Sequence, residues 1–139
     1  MKSIRTIKVL SRVFIFFSAA SLLYVSALAF INPQAVMDLV QTKLPNNDAF
    51  SSIRGVYGGV GLTISLFCIV WAFTNILQGL RFLAVMWGCY ALSRLITIGA
   101  EGPLGAFGTQ WLYIETTFCL LALLLSFSLA RASKRIPVK

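Results

Sequence analysis

The sequence predicts an all-α integral membrane protein, an antiparallel four-transmembrane-helix bundle with a short interfacial helix after the first span. Three observations predict it. The 139 residues are 58% hydrophobic and only 12% charged, where soluble domains carry about 25% charged residues. Four apolar runs, residues 13–31, 55–77, 82–98 and 111–130, approach or reach the ~20 residues of helix that cross a ~30 Å hydrocarbon layer. The basic residues gather mainly beside these runs, as the flanks of membrane spans do. A single membrane domain over residues 1–139 is expected, with 131–139 as a basic cytoplasmic tail. No internal repeat and no low-complexity linker interrupts it.

The first run comes after Lys2, Arg5, Lys8 and Arg12, and Ala27-Leu28-Ala29 has the small-residue pattern of a signal-peptidase site. Its apolar length exceeds the usual signal core, so an uncleaved span is expected. In the next segment, NPQAVMDLVQTKL, Asn32 can cap a helix and Pro33 suits its first turn. Val36, Leu39, Val40 and Leu44 share one helical face, which suits a helix lying on the outer membrane surface. Pro45-Asn46-Asn47-Asp48 should end it in a turn. The second run opens with SSIRGVYGGVGL, an arginine among glycines. The third is short and contains Arg94. The loop after it, residues 99–108, is rich in glycine and includes Glu101-Gly102-Pro103.

With four spans, both termini and a short loop at Arg81 share one side. That side carries Lys2, Arg5, Lys8, Arg12, Arg81, Arg131, Lys134, Arg135 and Lys139, against Lys43 and Arg54 on the other. The asymmetry places both termini in the cytoplasm. The same distribution argues against nucleic acid, despite a net charge of +8. Cys68, Cys89 and Cys119 lie inside apolar runs and read as small packing residues. With no histidine and four acids in the chain, no metal or other cofactor is expected.

Three ionisable residues, Arg54, Arg94 and Glu115, lie within or at the edge of spans, where a charge facing lipid near the bilayer centre costs about 2.5 kcal/mol or more. Arg94 is four residues before Ile98 and Glu115 four after Trp111. Each is therefore ~6 Å below the outer end of its run, and an ion pair is expected. Arg54 should reach the same outer layer, with Glu101 above it. Tyr57 and Tyr90 lie one turn below Arg54 and Arg94. Gly55 and Gly59 form a GxxxG, a weak signal of close helix packing. That packing is either inside the bundle or in a homo-oligomer, or else the absent side chains leave room for a ligand beside Gly58. The run lacks the Lys-Ser/Thr ending of a phosphate-binding loop.

Arg54, Tyr57-Gly58-Gly59, Arg94-Leu95, Gly102-Pro103 and Glu115 together resemble the bacterial domain-of-unknown-function family 4345, over residues 9–130 of this chain. The resemblance implies a four-helix inner-membrane protein, similar in general plan to the DoxX-like group. It brings no established activity, and implies that Arg54, Tyr57, Gly58, Gly59, Arg94 and Glu115 act together.

The ligand-binding candidates are therefore Arg54, Tyr57, Gly58, Gly59, Tyr90, Arg94 and Glu115. The leading expectation is a non-catalytic binding or accessory protein of the bacterial inner membrane, in contact with lipid. Its outer-facing Arg/Glu/Tyr cluster would hold a small amphiphile or an anionic group. The rivals are a membrane enzyme acting on a lipophilic substrate, for which Glu115 and Tyr57 are the acid/base candidates, and a purely structural or assembly subunit. In the structural reading Arg94 and Glu115 simply staple two helices while Arg54 reaches the interface.

Overall fold

The structure is a computed structural model that describes residues 2–134. Among those residues helix is the only regular structure, with α1 over Lys2–Ile31, α2 over Pro33–Asp38 and α3 over Asn47–Ile53. A π-helical segment, Arg54–Val60, leads into α4, Gly61–Thr74, and α5, Ile76–Glu101, and α6, Ala106–Lys134, come after it. Four helical stretches are long and apolar enough to cross a membrane: Ile4–Ile31, Asn47–Thr74, Ile76–Glu101 and Ala106–Lys134. The chain is a multi-pass membrane protein of the predicted all-α class.

The span boundaries differ from the expected ones, and the reason is local chemistry that hydropathy does not weigh. The second span starts at Asn47 rather than residue 55, because Asn46 accepts from the Ala49 N–H at 2.9 Å and caps the helix where a turn was expected. It ends at Thr74 rather than residue 77, because Asn75 caps α5 by accepting from Gln78 N–H at 3.1 Å. Arg81 is therefore a residue of α5 and not of a loop. The connection between α5 and α6 shrinks to residues 102–105. Gly102, at φ 101°, ends α5 and Pro103 prevents its continuation. Arg131 and Lys134 belong to α6; the tail residues Arg135 and Lys139 lie outside the described residues.

The helix after the first span forms as expected at its start. Asn32 accepts from Ala35 N–H and Pro33 takes the first position. It stops at Asp38, however, so Leu39, Val40 and Leu44 are not on it. Gln34 organises the loop that leaves this helix. Its amide donates to Asp38 Oδ1 at 2.7 Å and to the Thr42 carbonyl at 2.9 Å, and accepts from Leu44 N–H at 3.0 Å. Lys43 pairs with Asp38 at 3.4 Å. The hydrogen bond from Gln34, with Lys43 beside it, holds the Asp38 carboxyl below its ordinary range.

The chain divides into two compact units. One joins the start of α1, through Ile15, to the chain from Trp71 onward, and the other is Phe16–Val70. The first buries Ile15, Leu80, Leu83, Trp87 and Leu129 and carries a cluster of rings beside them. Phe118 of α6 meets Phe14 at 5.7 Å and Trp87 at 5.1 Å, and Trp71 meets Phe82 at 5.1 Å. The core of the second is made of small residues, with Ser18, Ala19, Ser26, Ala29, Ser65 and Cys68 buried. Small residues let helices approach closely in lipid, where packing rather than hydrophobicity holds them together. Phe17, Phe73, Val85 and Phe127 are exposed, as suits side chains facing acyl chains rather than water.

Candidate functional site

Within the first unit α5 and α6 run antiparallel. Ala84, Trp87 and Arg94 on α5 meet Cys119, Phe118 and Glu115 on α6 in turn. Gly88 permits the approach: a Cβ added there would lie 3.3 Å from Cys119 Sγ. The thiol donates to the Ala84 carbonyl at 3.3 Å, a packing role for Cys119. Past this close rung the expected ion pair forms. Arg94 Nε donates to one oxygen of Glu115 at 3.2 Å, and a terminal nitrogen donates to the other at 3.1 Å. The Glu115 side chain is only 3% exposed and that of Arg94 25%.

This two-pronged geometry matches the planar guanidinium to the carboxylate and makes each bond charge-assisted. Both carboxylate oxygens are engaged. Arg94 is seven residues before the end of α5 and Glu115 nine after the start of α6. At 1.5 Å per residue they lie ~10 and ~13 Å from those helix ends. The pair is farther from the helix ends than from the ends of the apolar runs, because both helices extend past their apolar stretches. Glu101, at the end of α5, makes no ion pair among the described residues. One turn below Arg94, Tyr90 places its ring 6.0 Å from that of Trp87. The Trp87 indole is 4% exposed, and its N–H has no partner among the described residues.

Arg54, Tyr57, Gly58 and Gly59 belong to the other unit. There the second span runs antiparallel to α1, and Arg54 Nε donates to the Phe30 carbonyl at 3.2 Å. That carbonyl is in the last turn of α1, where backbone acceptors lack helical partners and the helix dipole favours a cation. The same device occurs in the first unit, where Arg12 Nε donates to Ala72, near the end of α4, at 3.1 Å.

Gly58 leaves no vacant space. A Cβ there would lie 3.0 Å from the Phe30 ring, and its carbonyl accepts a buried 2.6 Å hydrogen bond from Ser26. Gly61 packs on Ser26 as well, at 3.2 Å. The glycines that face α1 are thus Gly58 and Gly61 and not the GxxxG pair; a Cβ at Gly55 or Gly59 would meet nothing within 4 Å among the described residues. Tyr57 is 38% exposed.

Sequence reasoning missed Ser26, Phe30, Gly88 and Trp87. The recurrence of Ser11, Ser18 and Ser26 at seven or eight residues along α1 was the available signal for Ser26; nothing in the spacing marked the others. Among the described residues no group of three His, Cys, Asp or Glu side chains could hold a metal.

No curated protein and no solved structure matches the chain. A family model described as Domain of unknown function (DUF4345) matches residues 10–126, a range that contains Arg54, Tyr57, Tyr90, Arg94 and Glu115. Matched over most of its length, the chain belongs to the DUF4345 family.

Proposed function

We propose that this protein is a non-catalytic binding or accessory protein of a bacterial inner membrane, with both termini cytoplasmic. It holds a small amphiphile or polar headgroup at the α5–α6 ion pair. The observation that carries the reading is the state of Arg94. Glu115 is fully engaged, while the second terminal nitrogen of Arg94 has no partner among the described residues and part of the side chain remains exposed. Intramembrane charges are functional candidates because their cost must be offset. The Lys/Arg asymmetry supports the orientation. Arg54, engaged with Phe30, is assigned to capping α1 rather than to the ligand.

Native mass spectrometry of the detergent-solubilised protein tests this. A discrete lipid-sized adduct retained by the native chain and lost from Arg94→Leu/Glu115→Leu is expected. Identical adduct patterns would leave only the structural reading, in which the pair staples α5 to α6. The complete engagement of Glu115 is the observation that favours that second reading.

A further inference from the structure

A guanidinium carries five N–H donors. Glu115 takes one from Nε and one from a terminal nitrogen of Arg94, so three remain without a partner among the described residues. The carboxylate beside them is buried with both oxygens engaged. One and two turns deeper on the same face of α5 stand Tyr90 and Trp87, at steps of four and three residues, and the buried Trp87 N–H is a further donor without a partner among the described residues. A buried orphan donor needs an explanation, and here two residues on one helix face show an excess of the same kind. What this face lacks is an acceptor.

The charge balance limits what can bring that acceptor. Arg94 and Glu115 sum to zero, so a free anion would add an uncompensated charge well below the helix ends. A neutral oxygen would accept from Arg94 without that penalty. Its carrier must be soluble among acyl chains, and Tyr90 and Phe118, one helical turn from Arg94 and Glu115, both pack on the Trp87 ring. We infer that the ligand of the α5–α6 site is a neutral lipophile bearing a carbonyl-type oxygen, and not an anionic amphiphile. This rests on the binding reading of the same site and narrows it.

Quenching of tryptophan emission by three brominated probes of equal chain length tests it. They are dibromostearate at alkaline pH, its methyl ester and the corresponding dibromoalkane. The ester should bind the native chain about tenfold more tightly than either other probe, and Arg94→Gln/Glu115→Gln should abolish that advantage. Tighter binding of the carboxylate would overturn the inference and leave the binding reading standing. An ester no better than the alkane would overturn both. The three-probe comparison on the native chain decides even where the double variant does not fold. Brominated phosphatidylcholine then identifies the source: binding as tight as the methyl ester assigns the oxygen to a bilayer lipid ester, and weaker binding assigns it to a free lipophile.

Discussion

Between α5 and α6 the charged contact joins two side chains, Arg94 and Glu115. Between α1 and the second span polar contacts run from a side chain to a backbone carbonyl, from Ser26 to Gly58 and from Arg54 to Phe30. The packing differs as well: in one unit the rings of Trp87, Phe118 and Phe14 meet beside buried leucines, alanines and serines, and in the other small buried serines and alanines predominate. A side-chain pair needs two specific residues at matched depth, and losing either strands a charge. A contact to backbone needs only one residue and a close approach, so glycine and serine set the geometry. The first kind concentrates its energy at one point and the second spreads it along the helix.

The largest effect should come from breaking the side-chain pair unevenly. Glu115→Ala or Arg94→Ala leaves a charge without its partner and should cost about 3–5 kcal/mol, read as a lower unfolding temperature in detergent. Arg94→Leu/Glu115→Leu should recover most of that loss, since an apolar pair replaces a buried ion pair at little cost. A double variant as unstable as the singles would show that the pair does more than neutralise itself.

Next come the glycines of the second span. Gly58→Ala puts a methyl 3.0 Å from the Phe30 ring and should cost about 1–3 kcal/mol unless the ring swings aside. Gly59→Ala meets nothing among the described residues and should stabilise by up to about 1 kcal/mol through helix propensity. Destabilisation by Gly59→Ala would sharpen the contrast in another way, by showing that something outside this chain covers that face in the membrane. A shift to smaller oligomers on gel filtration would identify a second copy.

A smaller loss is expected for Arg54→Leu, about 0.5–1 kcal/mol, because one hydrogen bond and one favourable charge at the end of α1 disappear. It should affect the unfolding temperature and leave ligand retention unchanged.

The smallest effect concerns the loop after α2. The Asp38 carboxyl is held below its ordinary range by Gln34 and Lys43. Its contribution is therefore present above the ordinary carboxylate pKa and is lost as pH falls through the folded value. Amide exchange at Thr42 and Leu44, both hydrogen-bonded in this loop, should accelerate on acidification relative to an Asp38→Asn control. Equal rates in the two proteins would remove Asp38 from the account.

The sequence made visible what depends on composition and on side-chain pairs. Four apolar runs appeared as four spans, and Arg94 and Glu115 appeared as a pair because residue depth along a helix can be counted. The ends of the spans were less legible. Asn46 and Asn75 looked like turn residues or span interior, yet each caps a helix. The spacing of Asn75 and Gln78 is that of a capping box, a signal hidden inside an apolar context. Contacts to backbone left no trace, since any residue has a carbonyl to offer. Of the readings left open for these glycines, space beside Gly58 fails and packing inside the bundle holds for Gly58 and Gly61: which glycine faces a neighbour depends on the rotation of the helix, and here that rotation is altered by a π-helical turn.

That turn has a consequence for how the second span tolerates changes in length. Its i→i+5 bonding accommodates an additional residue between α3 and α4. Removing one residue from Arg54–Val60 should let ordinary i→i+4 bonding close the gap, with the faces of α3 and α4 kept in phase. A one-residue deletion inside α4 has no such slack and would swing everything beyond it by about 100°, turning Ser65 and Cys68 from the core to the acyl chains. The segment is thus the span's expansion joint, the place where this protein can gain or lose a residue and keep its buried side in place.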